Sequence, residues 1–315
     1  MKRPSSEPTA LNAAQHRHSE TRMAVTPMND APPSTPSGGR SRLRRFVMLN
    51  RWLAHRISAG RPDRPNAYGL WHQEICQTLV EQPVQRVVDM GAGRNWFFPA
   101  QVKKRLGLHL IGCDLDGAEM QFNQLLDERI ECDACAAAGL PISTPVDMVM
   151  SRAGLEHFPD NQAFLRNCYR VLRPGGRVVV VFAGRRAPFA LLNRLVPEAF
   201  AMRLLDALIP NKKEKLGFKA FYDRCTGSDL QRAAERAGFR HLRTLCSYRS
   251  SDYFAFFVPL YLLSHGYDLI REILDLQGLA SYYLVVLEKP EGDEMKPPGE
   301  VVTLYQLDTT CHLST

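Results

Sequence analysis

The chain has 315 residues, 45% of them hydrophobic, enough for one substantial core with appendages. Its formal charge of +7 is local: residues 1–64 carry twelve Lys/Arg against four Asp/Glu, so the body beyond is near neutral and offers no broad basic face to a nucleic acid. No secretory apolar segment opens the chain, and its longest apolar run, Phe254 to Leu263, is about half a membrane span and holds Pro259, so a cytoplasmic protein is expected, soluble or at most peripheral to a membrane.

Residues 1–41 are rich in Pro, Ser, Thr, Ala and Arg without a hydrophobic period and read as a disordered basic arm. Two helices are predicted over 42–80. In the first, Leu43, Phe46, Val47, Leu53 and Ile57 recur at helical spacing, with Arg42, Arg45, Arg51 and Arg56 mostly elsewhere on the wheel. Gly60 to Pro65 stops it, and the second spans Ala67 to Val80. The first helix suits either a lid over a cofactor pocket or an anionic membrane surface, and its short apolar stripe favours the lid.

From residue 81 to 290, short apolar runs alternate with helical periods, the pattern of a parallel sheet with crossover helices. Strands are predicted at Arg86–Asp89, Leu108–Cys113, Arg129–Cys132, Val146–Met150, Arg177–Phe182, His241–Tyr248 and Ser281–Glu288. Helices are predicted at Pro99–Leu106, Ala118–Leu126, Gln162–Val171 and Ser228–Ala237, the last ended by Gly238. Two amphipathic insertions interrupt this alternation, and residues 291–315 read as a tail. The insertion at 183–222 holds Arg185, Arg186 and helical stretches at Leu191–Leu195 and Phe200–Ile209; that at 250–279 holds Tyr253, Phe254, Phe256, Phe257, Tyr261, His265 and Tyr267. Both suit a lid over a bulky or hydrophobic acceptor, or helices packed on the core.

The first strand runs Val87-Val88-Asp89 into Met90-Gly91-Ala92-Gly93-Arg94-Asn95. Glycines after a strand let the backbone turn tightly and approach a ligand with no Cβ in the way. A dinucleotide site wants a small residue at the sixth position so that the helix packs close, and Trp96 stands there. Asp89 would moreover repel a pyrophosphate, whereas it can accept from the α-ammonium group of S-adenosylmethionine.

Asp89-x-Gly91-x-Gly93 resembles the first motif of the class I S-adenosylmethionine-dependent methyltransferase family. Gly112-Cys113-Asp114-Leu115-Asp116 is similar to its second motif, Cys132-Asp133-Ala134 to its adenine contact, and Leu172-Arg173-Pro174-Gly175-Gly176 to its late turn. The resemblance covers roughly Gln85 to Pro290 and implies a Rossmann-like seven-stranded α/β sheet with flanking helices and helical insertions as a lid. It implies a cofactor site of Asp89, Gly91, Ala92, Gly93, Asp114, Leu115, Asp133, Ala134 and Ser151. Asp114 would take the ribose hydroxyls, with Asp116 as runner-up, Leu115 would back the adenine, and Asp133 would accept from its amine. Asn95 departs from the pattern, standing where many relatives place a third glycine; Asn tolerates left-handed backbone better than most residues.

Acceptors dock beside the cofactor at the carboxyl ends of the strands. Methyl transfer asks the protein for orientation and, with a hydroxyl acceptor, a base. His157, after the fourth strand, is the candidate base; Arg152 would pair with an anionic acceptor group and Tyr222 would reach the cofactor edge, or each is structural. The expected activity is methyl transfer to a small-molecule acceptor, an oxygen of a sugar, lipid-linked or polyketide-like compound, the kind of acceptor being argued by analogy. The alternative is a non-catalytic S-adenosylmethionine-binding interaction or regulatory protein, against which the retained Asp89, Asp114 and Asp133 argue. Nucleic acid is not the expected acceptor, since no Asn-Pro-Pro-Tyr-like tetrad follows the fourth strand. Of eight cysteines only Cys132 and Cys135 form a CxxC, with no second ligand pair at matching spacing, so free thiols and no metal are expected.

Overall fold

A parallel sheet forms where apolar, β-branched runs are buried on both faces. In the computed structural model, which describes residues 39–58, 66–94, 100–195, 219–292 and 300–303, the central strands are such runs. β1 (Arg86–Met90), β4 (Val146–Arg152) and β5 (Leu172–Ala183) bury Val87, Val88, Val149 and Val178 through Val181 almost completely. β2 (His109–Asp114) and β3 (Glu128–Glu131) extend the sheet on one side, and β7 (Tyr282–Glu288) and β6 (Arg240–Ser247) on the other. The strand order is β3-β2-β1-β4-β5-β7-β6, with β1 to β5 mutually parallel and β7 antiparallel to both neighbours. The expected seven strands are present, and a short β8 (Glu300–Thr303) adds parallel to β6 within the stretch read as a tail. Chain order reverses direction across the sheet between β1 and β4, which opens a crevice at their carboxyl ends.

Two N-terminal helices precede the sheet, α1 (Gly39–Ser58) and α2 (Ala67–Glu81). α2 starts where the Asn66 side chain accepts from Gly69 N at 2.7 Å, and buries Leu70, Trp71 and Ile75. Trp71 is fully buried and donates its indole N–H to Val179 O at 3.1 Å, pinning α2 to β5. Crossover helices follow: α3 (Ala100–Leu106), α4 (Gly117–Met120), α5 (Asn161–Val171) and, after β5, α6 (Pro188–Leu195) and α7 (Gly227–Arg236). The helix expected over Ala118–Leu126 is confined to α4. Arg129 of β3 donates to Met120 O at 3.0 Å and to Asn123 O at 2.6 Å, taking carbonyls that a longer helix would use. The second insertion folds as α8 (Val258–Ile273) between short 3-10 turns at Ser251–Phe254 and Gln277–Leu279. Residues 1–38, Asn95, Trp96, Phe200–Ile209 and most of the tail lie outside the described residues.

Candidate functional site

At the end of β1 the chain turns through Gly91 at φ +78° and Gly93 at +50°. A side chain at such an angle costs roughly 1–2 kcal/mol. Gly91 N and Ala92 N donate to Cys113 O at 2.8 and 3.3 Å, folding the buried Ala92 over the end of β2. Gly93 N donates to Asp114 Oδ2 and Asp116 N to Asp114 Oδ1, each at 3.0 Å, so the Asp114 carboxylate is held against the glycine turn. Among the described residues, nothing lies within 4 Å of a Cβ built on Gly93.

Asp89 is 2% exposed, and its Oδ2 is buried without a hydrogen-bond partner. Burial first, then the neighbouring Asp114, push its carboxyl up to about 7, with the Arg152 guanidinium pulling the other way. A buried acceptor left unsatisfied is costly, so this position suits a ligand that brings a cationic donor. Asp133 is exposed beyond β3, its Oδ1 accepting from Cys135 N at 2.8 Å, while Cys132 N donates to Asp114 O at 3.0 Å and ties that loop to β2. The three carboxylates thus stand at the tips of three adjacent strands. Leu115 lies beside them, 58% exposed. Ala134 is buried and gives its carbonyl to Asn167 Nδ2 at 3.0 Å. Ser151 is fully buried and donates to Met90 O at 2.8 Å, clamping β4 to β1.

A second cluster lies past β4, on the 3-10 turn Leu155–His157. His157 is half-buried, its Nδ1 3.3 Å from Lys219 O. Its neighbour Glu156 is the secluded one: 6% exposed, with Oε2 buried and unpartnered and the carboxyl pushed up by burial to about 7. Its charge acts on three tyrosines of an aromatic cluster. Tyr253 and Tyr282 share a hydroxyl hydrogen bond of 2.7 Å, Tyr68 of α2 meets Tyr282 edge-on at 5.5 Å, and Phe189 of α6 stacks on Tyr253 at 4.4 Å. Burial raises all three tyrosines above the usual phenol value, and the Glu156 charge raises them further. Arg152 stacks 4.6 Å over Tyr68 and acts electrostatically on both Tyr68 and Asp89, which places its guanidinium between the two clusters. Tyr222 is buried at φ +54° under the Arg194 guanidinium, 4.9 Å away. Its N–H and that of Phe221 donate to Glu156 O at 3.0 and 2.8 Å, which fixes the turn from behind.

Sequence reasoning did not single out Glu156, Tyr68 or Tyr282. Glu156 was overshadowed by a histidine with the more suitable free pKa, and the tyrosines come from elements remote in the chain. Among the described residues no three His, Cys, Asp or Glu side chains converge as metal ligands.

Residues 88–180 match a model of the methyltransferase domain. The chain is 30% identical over 191 residues to the ubiquinone biosynthesis O-methyltransferase of Xanthomonas campestris pv. campestris, covering 57% of this chain and 72% of that one. It is 28% identical over 112 residues to the demethylmenaquinone methyltransferase of Streptomyces griseus, covering 35% of this chain and 48% of that one. The solved phosphoethanolamine N-methyltransferase 2 of Haemonchus contortus, in complex with S-adenosyl-L-methionine, aligns at a TM-score of 0.44 and 16% identity over 82% of this chain and 61% of that longer one.

Proposed function

Because the chain belongs to the class I S-adenosylmethionine-dependent methyltransferase family, we propose that it methylates an oxygen of a hydrophobic small molecule, with Glu156 receiving the hydroxyl proton. When bound, the cofactor supplies an electrophilic methyl group on a sulfonium and departs as a neutral thioether. Asp89 accepts from the cofactor's α-ammonium, over the bare turn of Gly91, Ala92 and Gly93. Asp114 accepts from the ribose hydroxyls, Leu115 covers the adenine and Asp133 accepts from its amine, with Ala134 and Ser151 holding the walls.

The observation that carries the acceptor reading is the buried, unpartnered Oε2 of Glu156 beside a tyrosine cluster on which Arg152 stacks. Rings of Tyr68, Tyr253 and Tyr282 give an apolar acceptor its contact area, while their hydroxyls and Glu156 give its oxygen a polar partner. A general base works best near the operating pH, and a carboxyl raised to about 7 meets that condition. The names of the two relatives, one an O-methyltransferase of ubiquinone biosynthesis and one a demethylmenaquinone methyltransferase, support an aromatic, quinone-like acceptor over a sugar.

The test is turnover of a panel of catechols, quinols and phenolic acids, with cofactor binding measured separately by calorimetry. Glu156→Gln is expected to keep cofactor affinity within threefold and lose ~100-fold or more in kcat. A Glu156→Gln enzyme as fast as the parent would remove the proposed base; no heat with S-adenosylmethionine would remove the cofactor site.

A further inference from the structure

Helices of globular proteins turn apolar side chains inward and polar ones outward. α8 departs from this pattern, with three of its four buried residues polar or charged. Beside Tyr261, its buried face carries Ser264, Asp268 and Arg271, the last wholly enclosed and paired with Asp268. Asp268 also accepts from Ser250 N and Ser251 N at 2.8 and 2.9 Å, and Arg271 donates to Tyr248 O at 2.7 Å. With Asp268 and Arg271 paired inside, the helix presents Leu262, Leu263, Leu269, Ile270 and Ile273 outward, between 47% and 72% exposed. At 100° per residue these five fall on one arc of roughly 120°, and no charged residue of the helix lies within it. Leu274 continues the face at 61% exposed.

The neighbour of this face is basic. α1 docks at the start of α8, where Asn50 Oδ1 accepts from Val258 N at 2.9 Å and Phe46 meets Phe257 at 6.3 Å. α1 contains no acidic residue, and Arg42, Arg44, Arg51 and Arg56 are exposed along it. Between them Leu43, Phe46, Leu49, Leu53 and Ile57 are exposed as well. No helix among the described residues is long and apolar enough to cross a membrane.

We propose that α8 and α1 together form a docking surface for an anionic lipid bilayer, α8 inserting its leucines and isoleucines and α1 setting its arginines among the phosphates. A contiguous apolar face beside a basic helix is the combination that binds a charged interface. Lipid fits better than a second copy, since a twofold contact through this face would bring two arginine-rich helices together. The surface stands independently of the acceptor assigned above.

The experiment is vesicle flotation of the full chain, with light scattering and cofactor calorimetry run beside it. Vesicles of phosphatidylglycerol and phosphatidylcholine are expected to bind at least tenfold more protein than phosphatidylcholine alone, with half-molar salt weakening the preference. Leu263→Glu with Ile270→Glu should lower binding at least tenfold while cofactor affinity is unchanged, which separates loss of the surface from loss of the fold or of methyl-donor binding. Arg44→Glu with Arg51→Glu should abolish the preference for anionic vesicles. Failure of the parent chain to float with anionic vesicles would overturn the proposal. So would equal flotation of the Leu263→Glu, Ile270→Glu variant, or a parent dimer that this variant dissociates, which would assign the face to a second copy.

Discussion

Asp89 and Glu156 share a condition: each is a carboxyl inside the protein with one oxygen that nothing in the fold satisfies. For Asp89 the proposed partner is an ammonium, which requires the ionised form, so binding must expel the proton that the free protein holds below about pH 7. Cofactor affinity is therefore expected to rise between pH 5.5 and 8 and then level, with proton release visible as a buffer-dependent calorimetric heat. Asp89→Asn should flatten that profile and weaken binding by tenfold or more; an unchanged affinity would detach Asp89 from the cofactor. For Glu156 the expectation concerns rate. kcat should climb with pH through about 7 as the base ionises, and the climb should vanish in Glu156→Gln. His157→Ala should stay within about threefold of the parent, because its ring is half-open to solvent and already turned toward Lys219 O.

At the level of elements, α8 depends on an ion pair enclosed beneath it. Arg271 is wholly buried and hydrogen-bonded to Asp268, Tyr248 O, Ser281 Oγ and Leu279 O, joining the helix to the ends of β6 and β7. Removing one partner of such a pair leaves an uncompensated charge, at a cost of about 3–5 kcal/mol. Arg271→Met is expected to lower the urea midpoint by that equivalent. Asp268→Leu combined with Arg271→Met should cost clearly less than the two single changes added, since no lone charge remains. Strict additivity would show that the two side chains do not act as a pair. The elements also mark how far sequence pattern reaches. Trp71, Leu70 and Ile75 announce α2 by their spacing, and the valine runs announce β1, β4 and β5. The polar buried face of α8 was not legible, because periodicity reveals that a helix has two faces and not which one turns inward. The truncated α4 escaped for a related reason: Arg129, which takes its carbonyls, lies on another element.

Across the whole molecule, the candidate cofactor residues are legible in the sequence and the proposed acceptor site is not. Asp89, Gly91, Gly93 and Asp114 each lie within a few residues of a strand end, so strand order alone brings them together. Tyr68, Phe189, Tyr253 and Tyr282 come from α2, α6, the turn before α8 and β7, and only the packed fold joins them to one another. That assembly has a thermodynamic consequence. Asp89, Glu156 and Glu74 all have carboxyls raised by burial, so between about pH 4 and 7 the native state holds more protons than the unfolded chain, and the stability of the cofactor-free protein falls as pH rises through that window. For Asp89 and Glu156 the loss is on the order of 3–4 kcal/mol each. Asp127, Asp147 and Asp229 are shifted the other way, and their contribution is lost as pH falls below about 4. The joint contribution of these carboxyls to stability without cofactor should thus fall from about pH 5 to 8. A combined Asp89→Asn, Glu156→Gln variant should unfold at a higher urea concentration than the parent at pH 8 and converge with it below pH 5. S-adenosylmethionine, by giving Asp89 a cationic partner, should stabilise the parent more at pH 8 than at pH 6 and stabilise the variant less, by about 1.4 kcal/mol for each tenfold loss of affinity. A parent midpoint that stays flat from pH 5 to 8 would mean that these carboxyls find partners in solution, and both the ammonium site and the base would lose their physical ground.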